Sequence, residues 1–143
     1  MEKIVSEYYH LLYTHSREAE IEQMIRFFDK GFKTILDVGC ADGKHAVLLA
    51  KRGYNVIAID IDKELIEKNI NCYGNSNPKF YIGGFPEIVK GNFDVIYSIG
   101  MSIQSIFSER EFLKSLNSVY DNLNKGGAFI FDLIPLTNIN QKL

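Results

Sequence analysis

The stretch Thr34-Ile35-Leu36-Asp37-Val38-Gly39-Cys40-Ala41-Asp42-Gly43 leaves this chain few folds to choose from. A short apolar, β-branched run stops at an acid, and Gly39 and Gly43 then punctuate a turn. A helical pattern follows in Lys44-His45-Ala46-Val47-Leu48-Leu49-Ala50-Lys51. Glycine tolerates positive φ and close backbone approach, so a ligand can lie directly on the main chain of such a turn. The next apolar run, Tyr54 to Asp60, also ends in an acid. A nucleotide-binding α/β unit places its ribose-gripping carboxylate about 20 residues after the glycine turn begins, which is the region of Asp60. Two acids at two adjacent strand ends, with glycines between them, predict a nucleoside-binding crevice.

The spacing separates two kinds of nucleoside cofactor. A dinucleotide fingerprint reads G-x-G-x-x-G, but counting from Gly39 this chain supplies Gly39, Ala41 and Lys44. A pyrophosphate needs a tight cradle of amides at a helix N-terminus, and the pattern here is instead acid-x-Gly-x-x-x-Gly. It resembles the first motif of class I S-adenosylmethionine-dependent methyltransferases, commonly Asp-x-Gly-Cys-Gly-Thr-Gly, whose cofactor carries no phosphate.

The resemblance continues along the chain, over nearly all of residues 6–138. Residues 48–62, LLAKRGYNVIAIDID, look like the passage from the first core helix to the second strand. Asp60 then matches the residue that grips both ribose hydroxyls, and Ile61 matches the apolar residue on one adenine face. Residues 91–106, GNFDVIYSIGMSIQSI, are similar to the fourth-strand segment beneath the methionine half of the cofactor, and residues 123–134, LNKGGAFIFDLI, to the Gly-Gly passage into the fifth strand. The N-terminal SEYYHLLYTHSREAEIEQMI resembles the capping helix of a subgroup that methylates small metabolites or sugar amines. The resemblance implies S-adenosylmethionine as cofactor, held by Asp37, Gly39, Cys40, Ala41, Gly43, Asp60, Ile61, Gly84, Phe85, Ser98 and Ile99. It implies methyl transfer to an N or O atom of a small-molecule acceptor, with Tyr9, His10 and Tyr13 as the candidates near the reacting atoms and no assured catalytic base. A non-catalytic cofactor-binding subunit is the rival reading.

Several of these residues also have plainer readings. Asp37 either meets the ligand or accepts amides of the turn and keeps it in shape. Phe85 either packs on adenine or belongs to the core. His45 and Lys44 read as packing or surface residues. Arg17 reads as a surface ion pair with Glu18, Glu20 or Glu22, or alternatively as a partner for the cofactor carboxylate.

Three positions depart from the family pattern. Ala41 stands where glycine is usual, and its methyl group is costly if the residue needs positive φ. Gly83-Gly84 stands where a Gly-Asp pair often receives the adenine amino group, which leaves main-chain groups, Ile61 and Phe85 to hold the ring. The sequence also stops soon after the fifth strand, so the expected domain is truncated. It is then a fragment or a subunit whose strand 5 edge, a hazard when unpaired, is covered by a second copy or a partner chain.

Composition agrees with one cofactor-binding domain over residues 1–143, with a helical segment at 1–30 and a Rossmann-like core at 31–143. The chain has 143 residues, 46% of them hydrophobic, enough for a real core and against disorder. A net charge of −2 offers no basic field for nucleic acid, and no apolar run is long enough for a membrane helix. The N-terminus shows no secretory pattern, and Cys40 and Cys72 have no close metal-ligand companions, so no metal and a cytoplasmic location are expected. Apolar periodicity predicts helices at 17–30, 43–52, 62–72 and 108–123, and strands at 34–39, 54–60, 78–82, 93–99 and 127–134. Such alternation builds a doubly wound parallel α/β sheet. Right-handed crossovers and the resemblance together give it the order 3-2-1-4-5, with an N-terminal helical cap.

Overall fold

The computed structural model describes residues 16–100 and 102–133. Tyr8, Tyr9, His10, Tyr13 and His15, and the end of the predicted fifth strand at Ile134, lie outside the described residues. In chain order the elements are α1 (Arg17–Ile25), β1 (Thr34–Val38), α2 (Lys44–Lys51), β2 (Asn55–Asp60), α3 (Lys63–Tyr73), β3 (Lys79–Ile82), β4 (Phe93–Ser98), α4 (Glu109–Asn122) and β5 (Leu123–Phe131). The five strands form one sheet in the order β3-β2-β1-β4-β5. Every pairing is parallel.

Alternation along each strand sends side chains to two different layers. Ile35, Val56, Ala58, Phe80, Val95 and Tyr97 pack with Ile21 and Met24 of α1, Ala46 and Leu49 of α2 and Ile66 of α3. On the opposite face Leu36, Val38, Ile59 and Ile96 pack with Val119 of α4, Phe93 and Ile88. β1 is therefore buried on both sides from Ile35 to Val38, and apolar over that stretch apart from Asp37. The helices start where side chains can satisfy free amides. Asp62 Oδ1 accepts from the amides of Glu64 (3.0 Å) and Leu65 (3.2 Å) and caps α3.

Two elements differ from the sequence expectation. The first helix ends at Ile25 instead of reaching residue 30. Phe28 turns in against the Tyr54 ring, edge to face at 5.5 Å, and against Phe32 at 6.2 Å, so aromatic packing overrides the helical period. The fifth strand begins at Leu123, not 127, because α4 runs straight into it. Phe93 faces Leu123 while Val95 already faces Ala128, so the segment Asn124–Gly127 bulges from the ladder. Asp94 anchors this corner. Its Oδ2 accepts from the Lys33 amide (2.7 Å), the Thr34 amide (2.9 Å) and the Thr34 hydroxyl (3.0 Å), and its Oδ1 from Asn124 Nδ2 (2.8 Å).

Candidate functional site

The carboxyl ends of β1, β2 and β4 meet where the chain order reverses, the place at which open α/β sheets bind ligands. There the β1–α2 turn is strained into shape. Gly39 has φ +84°, Ala41 +46° and Gly43 +71°. A Cβ on Gly39 would lie 2.2 Å from Ser102 Oγ, and one on Gly43 would lie 2.8 Å from the Phe80 ring. The amides of Gly39 and Cys40 both donate to the Ile59 carbonyl, at 2.8 and 3.0 Å. Ala41 does adopt the left-handed conformation, and two side chains hold it there. Its amide donates to Asp60 Oδ2 at 2.9 Å, and its carbonyl accepts from Asn69 Nδ2 at 2.8 Å. Asn69 was not foreseen, since nothing in the α3 pattern marks one buried polar residue as a clamp on a distant turn.

The task proposed for Asp37, shaping the turn, falls to Asp60. Besides Ala41, Asp60 receives the Asp62 amide on Oδ1 at 2.9 Å. Each of its oxygens has two acceptor positions, so one on each is left for a pair of hydroxyls. Asp60 borders a cleft of about 410 Å³ together with Gly39, Ile61, Gly84, Phe85 and Gly100. That volume lies in the range of ligand pockets, roughly 300–1,000 Å³. Ile61 is 72% exposed at the cleft wall, although it is among the more apolar side chains of the molecule. A Cβ on Gly84 would come within 2.7 Å of Ile61 Cγ2, so only glycine lets the two walls approach this closely. Phe85 lines the cleft and packs against the Leu36–Val38–Ile59 cluster.

The other predicted site residues lie deeper. Cys40 is part of the core, and burial pushes its thiol far above the ordinary range. Ser98 is fully buried inside β4, and Ile99 packs on the core behind the turn, so Gly100 and Ser102 line this part of the cleft instead. The Gly100 amide donates to both oxygens of Asp132 at the end of β5, at 3.0 and 3.1 Å. Asp132 thereby braces the loop after β4, a role its isolated position in the sequence did not suggest. Ser115 and Glu111 of α4 close the far wall.

Asp37 is 3% exposed, and its Oδ2 has no hydrogen-bond partner among the described residues. Burial raises its carboxyl to about 7, opposed by the Tyr97 hydroxyl and by Arg17 and reinforced by Asp60 and Asp42. Arg17 is nearly buried and pairs with Asp42 of the turn at 3.6 Å, rather than with an acid of its own helix. His45 meets Glu20 of α1, and burial lowers its pKa despite that carboxylate. Lys44 reaches Asp42 at 3.4 Å from a half-exposed position. These pairs fasten α1 over the glycine turn.

A sequence model of the methyltransferase domain matches residues 35–127, the span from β1 into β5. The glycine/sarcosine/dimethylglycine N-methyltransferase of Actinopolyspora halophila is 28% identical over 114 residues, 72% of this chain and 19% of its own. The glycine/sarcosine N-methyltransferase of Halorhodospira halochloris is 27% identical over 111 residues, 72% of this chain and 40% of its own. The chain thus spans less than half the length of these two relatives. Among solved structures, an S-adenosylmethionine-bound amino pentose methyltransferase from Micromonospora echinaspora superposes with a TM-score of 0.79 at 15% identity, over 96% of this chain and 59% of its own. An S-adenosylmethionine-dependent methyltransferase from Clostridium acetobutylicum gives 0.78 at 20% identity, over 96% and 58%. These two likenesses are of fold. With the motif spacing, the sheet order and the match across residues 35–127, they place the chain in the class I S-adenosylmethionine-dependent methyltransferase family.

Proposed function

We propose that this chain binds S-adenosylmethionine in the cleft between the glycine turn and Ile61, and serves methyl transfer to a nitrogen or oxygen of a small molecule. The observation that carries the reading is the pairing of Asp60 with Ile61 at the end of β2. A buried carboxylate with acceptor capacity left over stands beside an apolar side chain left in the open. A ribose and a purine ring want that combination, two hydroxyls to donate and a flat face to cover. The residues present fit the group.

When bound, the cofactor supplies a methyl group activated on a sulfonium, open to in-line displacement by a nucleophile. The chain's own residues bind and orient. Asp60 would receive the ribose hydroxyls, Ile61 and Phe85 would cover the adenine, and the main chain at Gly39 and Gly100 would border the methionine end. A neutral amine needs only alignment and exclusion of water, whereas a hydroxyl gains from a base. Among the described residues the cleft carries one carboxylate besides Asp60, that of Glu111. Nitrogen is the favoured acceptor atom, in keeping with the glycine and sarcosine N-methyltransferases it resembles. Tyr9, His10 and Tyr13 remain the proposed acceptor-side residues. An occupant for the β5 edge, a second copy or a partner chain, belongs to the same proposal, supported by exposed Phe131 and Leu133.

The test is calorimetric titration with S-adenosylmethionine and S-adenosylhomocysteine, with NAD as control, followed by labelled methyl transfer to a panel of amines and alcohols. Micromolar binding of the first pair but not of NAD supports the reading, and transfer to an amine completes it. Binding without transfer to any acceptor would favour the cofactor-binding subunit. A folded chain that binds neither ligand would overturn both.

A further inference from the structure

The segment after β3 and helix α4 run side by side, and their contacts step along both in the same direction. The Gly91 amide donates to Asn122 Oδ1 at 2.8 Å, the Ile88 amide donates to Ser118 Oγ at 3.1 Å, and Glu87 pairs with Lys114. Glu111 stands about one helical turn before Lys114 and Ser115, and Gly84, Phe85 and Pro86 stand just before Glu87. Glu111, Ser115, Gly84, Phe85 and Pro86 all border the cleft. The stepping therefore carries Glu111 to the end of the cleft walled by Phe85 and Ile61. Its backbone is pinned there from both sides, the amide donating to Ser108 Oγ at 3.4 Å and the carbonyl accepting from Ser115 Oγ at 2.7 Å. Its side chain is exposed.

The other side chains at that end give a flat ring cover but no polar partner. Ile61, Phe85 and Pro86 are apolar, and Gly83 and Gly84 have no side chain. Ile61 Cγ2 stands 2.7 Å from where a Cβ on Gly84 would be, so it fills the space of a residue 84 side chain. Asp60 is engaged at the end of β2 with the Ala41 and Asp62 amides. Ser102 and Ser105 belong to the segment after β4.

We propose that Glu111 of α4 is the residue that selects the base, its carboxylate accepting an N–H of the purine 6-amino group. The inference rests on the cofactor reading above and adds to it a specificity residue from an element that shares no strand end with the rest of the site. With the ribose at Asp60, the 6-position lies at the end of the purine remote from the sugar, which is the end that Glu111 closes. A carboxylate accepts hydrogen bonds and donates none. It therefore favours a 6-amino group, which offers two N–H bonds, and repels the lone pairs of a 6-oxo group. Ile61 and Phe85 cover the faces of either ring equally, so shape alone does not separate the two bases. A hydrogen bond to a charged group at a solvent-reached edge makes the preference for the amino ligand about tenfold.

Two probes that differ only at the 6-position test this: S-adenosylhomocysteine and its 6-oxo analogue, S-inosylhomocysteine. Both are titrated by calorimetry into the wild-type chain, Glu111→Gln and Glu109→Gln. The wild type is expected to prefer the amino ligand about tenfold. An amide both accepts and donates, so Glu111→Gln should bring the two affinities within about threefold of each other, chiefly by strengthening the 6-oxo ligand. Glutamine also keeps the side-chain length and the capacity to close a capping box onto the Ser108 amide, so the thermal midpoint of this variant is held. Glu109→Gln removes the same charge from the same helical turn at a position that does not border the cleft, and should keep the wild-type ratio. Equal binding of the two probes by the wild type, or a wild-type ratio in Glu111→Gln, overturns the proposal while leaving the cofactor site intact. An equal fall in Glu109→Gln overturns it as well, since net charge would then account for the preference. Failure of both probes to bind the folded wild type overturns the site reading and this inference with it.

Discussion

The Asp60 carboxylate accepts the Ala41 amide at 2.9 Å, tying the end of β2 to the left-handed corner of the turn after β1. One side chain thus shapes the glycine turn and faces the cleft. Asp60→Ala removes both functions, and adenosyl-ligand affinity is expected to fall at least about tenfold, as lost hydrogen bonds to a charged group weigh roughly 1.5–3 kcal/mol. Calorimetry with S-adenosylhomocysteine reads this directly. Unchanged affinity in a folded variant would place the ribose elsewhere.

Ala41 occupies a conformation that an L-residue enters at a cost of about 1–2 kcal/mol. Ala41→Gly relieves that strain, offset in part by the greater freedom of glycine in the unfolded chain. A net gain of about 0.5–1 kcal/mol is expected, seen as a thermal midpoint a few degrees higher. A lower midpoint would show that the Ala41 methyl contributes packing that outweighs its strain.

Gly39 is the opposite case. Its φ of +84° and the 2.2 Å approach of Ser102 Oγ to a would-be Cβ leave no room for a side chain. Gly39→Ala should cost about 1–2 kcal/mol from backbone strain alone, and should weaken adenosyl-ligand binding by displacing the loop after β4. Chemical denaturation and ligand titration measure the two effects separately, and wild-type values in both would remove Gly39 from the site.

Asp94 predicts an acid limb in the stability curve. Burial opposes its charge, but hydrogen bonds from Asn124, Lys33 and Thr34 outweigh it and hold the carboxyl down to about 2, below its ordinary 3.8. A depressed carboxyl contributes its full stability above the unfolded value and loses it as pH falls through the folded one. Asp94→Ala should therefore lower stability at neutral pH by about 1–2 kcal/mol, solvent screening of the partly exposed carboxylate keeping the loss below the full value of its hydrogen bonds, and flatten the decline between about pH 4 and 2. Denaturation midpoints of the two proteins across that window provide the check, and parallel curves would contradict it.

Local sequence carried the architecture because each strand and helix announces itself within a few residues. The acid-ended apolar runs at Asp37 and Asp60, the cap at Asp62 and the glycines at 39 and 43 are short-range signals, and the sheet order followed from handedness and resemblance. Boundaries failed where a distant partner decided them. Phe28 leaves its helical period for Tyr54, and the Asn124–Gly127 bulge exists because Asp94 draws Asn124 to the start of β1.

The site divides along the same line. Part of the cleft lining was legible: Gly39, Asp60, Ile61, Gly84 and Phe85 border it, whereas Asp37, Cys40, Ala41, Gly43, Ser98 and Ile99 are not among its lining residues. Which acid shapes the turn and which keeps a free oxygen was decided only in the folded molecule. The strand register sets Asp60 beside the Ala41 amide and Asp37 opposite Tyr97, on a face covered by α1 and α2. Hydrogen bonding and desolvation depend on neighbours in space, and the long stretch of chain between Asp37 and Tyr97 hides that neighbour from any local pattern.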